Sequence, residues 1–480
     1  MKADKLPQSA VSSSTSSQIN VDSILDRPIL LKFNVENLLV VILLLLAFVS
    51  RFYDVGARVM AHDEVNHVAP AYDLYSTGRY EYDPVTHGPL QFHLLSLSYS
   101  LFGDSDFSAR VPAASFSVAA IAIVLFGFRR YLGRKAALIA AFLFLISPYM
   151  LYYGRYTRNE AFGEVFSVLT LYAVLRYLEK GDFKSLLFFT VVMAFHFTDK
   201  ATSFIYSAEL MIFLAIIFMA AVWRIEWKRP SSRDAFILFV GLALFMAVLA
   251  VVFAVLDAGL SKEAAAVTVD PAVPVQKAMS TLGIFKLIAV LSTLVLGIVG
   301  IFFLVRDLGV AALRTIRSFD LLMLTSTLVL PQLGALVVGL LGWDPLNYVD
   351  SGTMLKTGLV VVALFVLAAV LGMWWRRRVW LICFVVFYAI FIVFYTTVFT
   401  NPVGFFKGLV GALGYWMSQQ AVNRGTQPGY YYLLVQFPMY EFLAFFGAVM
   451  AFVIGVRRRL FSQFVGASPA QQVEKFDPLR

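Results

Sequence analysis

Acidic and imidazole side chains gather in one short segment, directly after the first apolar run of the chain. The segment reads HDEVNH and contains Asp63, Glu64 and His67. On a helix, Asp63 and His67 are four positions apart and share a face, while Glu64 points about 100° away. A carboxylate held in such a place can act as a general base on a hydroxyl group. The alternative is a solvated helix start, because acidic residues favour helix N-termini.

The HDEVNH segment does not have the spacing of a zinc-protease motif. An HExxH site needs two histidines four residues apart on one helical face, whereas His62 and His67 are five apart. The chain has one cysteine, Cys383, so an internal disulfide framework and a cysteine-based zinc site are both excluded.

Two polar clusters further along have residue types that suit an anionic ligand. The stretch YDPVTHGP places His87 on a turn between two prolines, where an imidazole can contact a head group. The stretch YYGRYTRNEA contains Arg155, Arg158 and Glu160. Arginine holds phosphate oxygens through two hydrogen bonds at once. The alternatives are a surface turn for His87 and, for the arginines, snorkelling beside interfacial tyrosines.

Two more clusters lie in the later part of the chain. The stretch HFTDK ends a short apolar run with Asp199 and Lys200. We interpret it as a boundary between two hairpin helices. The alternative is a functional site, because ionisable groups near a membrane core are often functional. The stretch NRGTQPGYYY contains Arg424, Gln427 and Tyr431 in a long polar loop. Long loops are commonly functional. An arginine beside aromatic rings suits a sugar phosphate, but the tyrosines could equally form only an interfacial belt.

The composition defines the class of protein that must position these residues. Hydrophobic residues make up 60% of the 480 residues and charged residues only 14%, whereas soluble domains are about a quarter charged. The mean hydropathy is +0.78. Such a chain needs lipid as its solvent, so we predict an all-α polytopic membrane protein. The net charge of +9 reflects cations at the ends of apolar runs, which indicates membrane topology and no nucleic-acid partner.

Apolar runs of the required length predict roughly 12 transmembrane helices. If the spans alternate, every cationic cluster lies on one side, so both termini are expected in the cytoplasm of a multi-pass cell-membrane protein. Residues 1–34 are expected to be a disordered cytoplasmic tail, 35–460 the membrane domain and 461–480 a second cytoplasmic tail. The predicted spans are 36–53, 106–128, 136–153, 160–178, 185–199, 202–223, 235–257, 283–305, 319–342, 354–375, 379–399 and 433–456.

The longer loops all fall on the other, outer side. They are 54–105, which includes an apolar interfacial helix at 89–103, and the loops 258–281 and 400–432. The five polar clusters then face one side of the membrane at a similar depth. This arrangement predicts a single outward-facing cavity at the membrane surface.

Several of the quoted motifs, in this order, resemble the GT-C superfamily of membrane glycosyltransferases, which includes protein O-mannosyltransferases and the lipid A aminoarabinose transferase. The shared pattern is a first span, an outer acid pair and a PL element leading into LFG and an arginine, here Arg110. The stretches HDE..H, YDP..HGP, RxxRNEAF and NPVGFF…NRGTQPGYYYLL are most similar to the flippase-activity-associated membrane proteins. The resemblance covers roughly residues 36–456.

The resemblance implies a sugar transferred from a polyprenyl-phosphate donor to a lipid, glycan or protein acceptor on the outer face. It implies Asp63 as the base, with Glu64 and Glu160 as the other catalytic acids. Where the aminoarabinose transferase has lysine in KPPL, this chain has His87, and Arg155, Arg158 or Arg424 is the alternative source of the phosphate contact. We expect the substrate-binding side chains to be His67, His87, Arg155, Arg158, Arg424, Gln427 and Tyr431.

The implied reaction is an inverting single displacement that requires no cofactor. A pyrophosphate donor would instead suit a divalent metal at Asp63, Glu64 and Glu160. Two alternatives stay open: a flippase or transporter of lipid-linked sugars, and a non-catalytic partner in glycan assembly. Transporters place substrates near the midplane of the bilayer on broken helices, whereas the ionisable groups here lie mostly at span ends.

Overall fold

The computed structural model describes residues 21–30, 33–267, 280–348, 350–419, 422 and 427–459, with the side chains of 258–267 left out. This part of the chain is almost entirely helical. Two short strands, β1 (Pro28–Leu30) and β2 (Phe33–Asn34), pair antiparallel. The helices are α1 Val21–Leu25, α2 Val35–Phe52, α3 His62–Thr77, α4 Leu90–Phe102, α5 Asp106–Gly127, α6 Arg129–Ile146, α7 Pro148–Tyr153, α8 Glu160–Lys180, α9 Phe183–Asp199, α10 Ser203–Arg224, α11 Pro230–Val267, α12 Thr281–Leu308, α13 Val310–Leu313, α14 Arg317–Val329, α15 Gly334–Leu340, α16 Ser351–Tyr395, α17 Val403–Phe406, α18 Ala412–Gln419, α19 Gly429–Tyr431, α20 Phe437–Tyr440 and α21 Phe442–Arg457.

Short non-α turns connect several of these helices. Two are 3-10 turns, Pro84–Thr86 and Leu330–Leu333, and two are π-helical stretches, Lys407–Gly411 and Tyr432–Gln436. The π-helical stretches continue directly into α18 and α20. The loop predicted at 258–281 is in part helix, since α11 extends to Val267, and residues 268–279 lie outside the described residues.

In the described part of the chain, eight helical segments are long and apolar enough to cross a membrane, or nine if the bent pair 432–457 is one span. The fold class is therefore confirmed, and the protein is a multi-pass membrane protein. The 45-residue α16 has non-helical backbone angles at Arg376, which places its break between the predicted spans 354–375 and 379–399.

The remaining predicted spans correspond to shorter or more charged helices. The span at 185–199 is α9, which has only 17 residues. The span at 136–153 is divided between α6 and α7. The first turns of α6 carry four cations, and its backbone is non-helical at Gly133. These two segments are helical as expected but fall below the length or hydropathy of the other spans.

The N-terminal segment is more ordered than the predicted tail. Residues 21–34 contain α1 and the two strands, and they dock on the start of α6. Arg134 bridges Asp26 at 2.6 Å and Glu36 at 2.7 Å, and Lys135 lies 2.8 Å from Asp22. The rest of the predicted N-terminal tail, 1–20, and residues 460–480 lie outside the described residues.

The protein core lies where α8, α9, α14 and α16 pack together. Large side chains such as Phe189, Trp375, Trp380 and Phe387 are completely buried there. Gly372 allows this packing, because a Cβ atom at that position would lie 2.2 Å from the Trp380 ring. In contrast, α11 and α12 pack mainly against each other and expose apolar side chains, as expected for helices in contact with lipid.

The elements between α2 and α5 form a layer over one end of this bundle. Helix α4 corresponds to the predicted interfacial helix at 89–103. It packs against α3 and α5 and buries Phe92, Leu95 and Tyr99 on one side, while Leu97 and Leu101 are exposed on the other. This layer holds α3, and with it the acid pair, next to the start of α8.

Candidate functional site

Glu64 fixes the position of α3. Its carboxylate is fully buried. It accepts hydrogen bonds from Arg110 (2.9 Å from Nε and from Nη2), from Arg58 (2.9 Å) and from the backbone amides of Ala61 and Thr157 (3.0 Å each). Although burial disfavours the charge, the hydrogen bonds from Arg110 and the two amides hold the pKa of Glu64 below its usual value. Glu64 therefore joins three separate segments as an ionised structural anchor.

Asp63 points in a different direction from its neighbour. Its side chain is 54% exposed, and its Oδ2 accepts a hydrogen bond from Arg158 Nη1 at 2.9 Å. Arg158 Nε lies 3.6 Å from Glu160 Oε2, and Glu160 Oε1 lies 2.7 Å from Lys200 Nζ. Asp63, Arg158, Glu160 and Lys200 thus form a row of alternating acids and cations, which we call the ion-pair chain. It connects α3, the start of α8 and the α9–α10 turn.

Buried hydrogen bonds around Asp199 hold the far end of the ion-pair chain. Asn159 donates from Nδ2 to the Asp199 carbonyl at 2.8 Å and to its carboxylate at 3.0 Å. The amide of Gly88 donates to the same carbonyl at 2.8 Å. A Cβ atom on Gly88 would lie 2.2 Å from the Thr198 carbonyl oxygen, so only glycine permits this approach. The HGP turn therefore sits directly against the residue that precedes Lys200.

A cavity of about 530 Å³ lies beside the ion-pair chain. Its basic side is formed by Arg158, Lys200 and His87. Tyr395 lies beside the end of α9, since its hydroxyl donates to the Phe197 carbonyl at 3.0 Å and its ring contacts the edge of Tyr82. The other polar and aromatic lining residues are Tyr82, Tyr395, Tyr415, Trp416, Gln419, Gln427 and Tyr432.

The site residues expected from the sequence fall into distinct groups. Arg158, His87 and Gln427 line the cavity, and Asp63 and Glu160 contact it through Arg158. His67 is buried behind His87, and Glu64 faces Arg110. Arg155 donates to the Ser50 carbonyl at 2.9 Å and does not line the cavity. Tyr431 contacts Tyr432, which lines the cavity, and Arg424 lies outside the described residues.

Several lining residues were not among the expected ones. The sequence indicates a helix boundary at Lys200. An ionisable side chain at the end of a short apolar run is, however, itself a functional signal. Tyr415 and Trp416 lie on α18, in the segment read only as a long loop. Tyr395 ends an apolar span and carried no signal in the sequence. Its packing against Tyr82 and the end of α9 brings it to the cavity.

The two histidines at the site are stacked and neutral. The rings of His67 and His87 are 5.9 Å apart and nearly parallel. Burial, together with the charge of Arg158, lowers the pKa of His67 to about 4. Burial and the charge of Lys200 lower the pKa of His87 to about 3. At neutral pH the two rings therefore add no charge, and the basic side of the cavity owes its charge to Arg158 and Lys200.

The lowered pKa values predict that each of these two histidines contributes a loss of folding stability on acidification. An unfolded histidine titrates near pH 6.5. Below that pH the unfolded chain therefore binds protons at these histidines that the folded chain does not bind. The loss begins near pH 6.5 and continues until the folded histidines themselves protonate, near pH 4 for His67 and pH 3 for His87. At pH 5 it amounts to about 2 kcal/mol for each histidine.

The measurement is a thermal melt of purified protein in detergent at a series of pH values between 7 and 5. His67→Phe should make the change in stability between pH 7 and 5 less unfavourable than in the parent, because one of the histidines whose pKa is lowered by folding is gone. Asp73→Asn on the exposed side of α3 serves as the control and should keep the full slope. A His67→Phe variant with the same pH slope as the parent would contradict this account.

The carboxylates suggested for a divalent metal do not converge. Glu64 is engaged by Arg110 and two backbone amides, whereas Asp63 and Glu160 lie on either side of Arg158. Among the described residues, no group of three or more histidine, cysteine, aspartate or glutamate side chains is placed to hold a metal ion. The arrangement instead provides cations next to a cavity, with an exposed carboxylate beside them.

Comparison with known families supports the interpretation from the motifs. Residues 86–255 match the family described as dolichyl-phosphate-mannose-protein mannosyltransferase. This segment extends from the HGP turn through Arg158, Glu160 and Lys200 into α11. The resemblance to GT-C membrane glycosyltransferases is thereby confirmed over this segment, which is about a third of the chain. The sequence matches none of the curated proteins.

Solved structures with a similar course of the chain are distant. The crystal structure of ArnT from Cupriavidus metallidurans bound to undecaprenyl phosphate is 14% identical, with a TM-score of 0.33, over 79% of this chain and 78% of that one. The Archaeoglobus fulgidus oligosaccharyltransferase in complex with Zn and sulfate is also 14% identical, with a TM-score of 0.36, over 82% of this chain. AglB from the same organism, in complex with an inhibitory peptide and a dolichol-phosphate, is 14% identical with a TM-score of 0.35 over 86% of this chain. This chain spans about half (54%) of each archaeal chain.

Proposed function

We propose that the protein transfers a sugar from a polyprenyl-phosphate donor to an acceptor hydroxyl at this cavity, on the outer face of the membrane. The observation that carries the proposal is a single cavity lined both by two cations, Arg158 and Lys200, and by aromatic and amide side chains. Cations suit a phosphate group. Aromatic rings and amides suit the faces and hydroxyls of a sugar.

The donor class is supported by two independent features. The family that matches residues 86–255 carries dolichyl phosphate in its description. The cavity lies at the end of a bundle of apolar helices, so a lipid tail can stay in the bilayer while its phosphate enters. The sequence-based topology places this end on the outer side, both termini in the cytoplasm, and the membrane domain at 35–460. We retain that orientation and those boundaries as part of the proposal.

The proposed reaction is a single displacement with inversion at the anomeric carbon. The carboxylate of Asp63 takes the proton of the acceptor hydroxyl while its oxygen forms the new bond to the anomeric carbon. The bond from that carbon to the phosphate oxygen breaks, and the lipid phosphate leaves with the electron pair. Arg158 and Lys200 stabilise the charge that develops on the leaving phosphate. Asp63 carries the catalytic role, and Glu64 positions α3.

Glu160 and the other polar residues of the site have different roles in this proposal. Glu160 lies between the two cations and holds them at the cavity. His87 is proposed to contact the donor as a neutral group, with His67 stacked behind it, and Gln427 to contact the sugar. Arg424 and Tyr431 belong to the same final loop region and are retained as substrate-binding candidates. The proposal requires no cofactor.

The test is transfer of radiolabelled sugar from a panel of polyprenyl-phosphate donors by the purified full chain in liposomes, with heat-inactivated protein as the control. We expect label to move from the lipid to an acceptor. A protein that transfers no label but moves labelled lipid across the bilayer would be a flippase, and the enzymatic proposal would fall. A protein that does neither would be the non-catalytic assembly partner.

A further inference from the structure

We propose that Arg158 and Lys200 form a phosphate-binding site that the carboxylate of Glu160 occupies when no ligand is bound. The inference rests on the proposed function and identifies the residues that bind the donor's phosphate group. It gives Lys200 a substrate-binding role and makes Glu160 an internal competitor of the phosphate. The ligand class is a phosphate group attached to a polyprenyl chain.

The contacts within the ion-pair chain support this assignment. Lys200 and Arg158 both line the cavity, with side chains 17% and 23% exposed. Lys200 Nζ binds one Glu160 oxygen at 2.7 Å. Arg158 Nε is 3.6 Å from the other oxygen, and among the described residues neither of these two buried atoms has a hydrogen-bond partner. A buried donor that is attracted by charge but makes no hydrogen bond leaves a place for a closer anion.

The α9–α10 turn adds a second source of positive potential. Ala201 and Thr202 line the cavity directly before α10, a helix of 22 residues. The N-terminus of such a helix carries a partial positive charge and favours an anion. This turn presents Lys200 and the residues before α10 to the same cavity. An anion at that point would meet the helix end and both cations.

The charge balance explains why a carboxylate lies there in the empty protein. Two cations so close together repel each other, and Asp63 and Glu160 neutralise them. A phosphate offers more oxygen acceptors than a carboxylate and can bind the arginine through two hydrogen bonds. When phosphate binds, Lys200 and Arg158 can therefore exchange their carboxylate partners for phosphate oxygens. The site is kept folded and neutral until the ligand arrives.

The exchange has a consequence for Asp63. Arg158 Nη1 holds Asp63 Oδ2 at 2.9 Å in the empty protein. If Arg158 turns towards the phosphate, Asp63 loses this partner and its carboxylate becomes available to the acceptor hydroxyl. The base is then released only when a donor is in place. Donor binding is expected to precede productive acceptor binding.

The experiment measures binding of undecaprenyl phosphate to the purified full chain in nanodiscs, so that no sugar transfer is needed. Lys200→Gln should weaken binding about tenfold or more, because a charged hydrogen bond to phosphate is lost. Lys200→Arg should retain most of the affinity. Glu160→Gln should tighten binding by about threefold or more, since the internal competitor loses its charge. Lys180→Gln, at the opposite end of α8, is the matched control and should have no effect.

Two further ligands identify what the site recognises. Undecaprenol, which lacks the phosphate, should show weak binding that Lys200→Gln does not change. If inorganic phosphate competes with the lipid for binding, the site recognises the phosphate group itself. If only the lipid phosphate binds, the tail contributes as well. Both results support the proposal as long as Lys200→Gln weakens binding of the lipid phosphate.

The results separate this inference from the proposed function. If the parent protein does not bind undecaprenyl phosphate, the lipid-phosphate donor itself is wrong. If the parent binds it and Lys200→Gln binds equally well, the donor class stands and the phosphate site is wrong. If Glu160→Gln weakens binding as much as Lys200→Gln does, Glu160 is a supporting residue of the site and not its competitor, and the exchange is refuted.

Discussion

Replacement of Asp63 by asparagine is expected to lower the rate of sugar transfer by roughly 10²–10⁴-fold, the range for loss of a positioned general base. Asparagine keeps the size and one oxygen of the side chain but cannot accept the proton of the acceptor hydroxyl. Asp63 is exposed and held by a single arginine, so the change leaves no buried charge without a partner. Folding should therefore be unaffected.

The measurement is kcat and KM for the donor, together with direct binding of undecaprenyl phosphate. We expect the loss in kcat, with donor binding unchanged or tighter, because Arg158 is released towards the phosphate. Asp73→Asn provides a matched control, since Asp73 lies on the same helix and is exposed. Equal kcat values for the parent and Asp63→Asn would assign the base to another residue.

Replacement of Glu64 by alanine is expected to destabilise the folded protein by about 3–5 kcal/mol, the usual cost of removing one partner from a buried ion pair. Arg110 is completely buried beside Glu64. Without the carboxylate, its guanidinium would be left charged in the protein interior, and the amides of Ala61 and Thr157 would lose their acceptor. Activity should fall together with the amount of folded protein.

Thermal unfolding in detergent measures this effect, with Glu81→Gln in the exposed loop after α3 as the control. A paired replacement sharpens the test. Glu64→Leu combined with Arg110→Met removes both charges, and it should be less destabilising than Glu64→Leu alone. A Glu64→Ala protein that melts with the parent but is inactive would show that Glu64 acts in the reaction and not as an anchor.

The two adjacent acids illustrate what a local pattern can and cannot say. Both were expected to be catalytic from the resemblance, and both lie on the helix His62–Thr77. Their different surroundings depend on Arg110 and Arg158, which lie far away along the chain. A helical wheel places the two side chains about 100° apart, but it does not say which of the two directions faces the protein.

The sequence by itself determined the class of the protein and most of its helices. Apolar runs of about 20 residues have few alternatives to a membrane helix, because every backbone group must be hydrogen-bonded within the segment. The break in α16 could be placed near Arg376 because three arginines interrupt the apolar run there. The polar clusters were recognisable because ionisable side chains are rare in such a chain.

Only the tertiary structure decided which of these clusters meet. Hydropathy records how a helix interacts with lipid and contains no information on which helices are neighbours. The pairing of Glu160 with Lys200 and the position of Tyr395 on the cavity wall follow from the packing of α8, α9 and α16. The close approach of Gly88 to the end of α9 aligns these elements. The site thus depends on contacts between segments that are distant in sequence, and such contacts leave no periodic signal in a single chain.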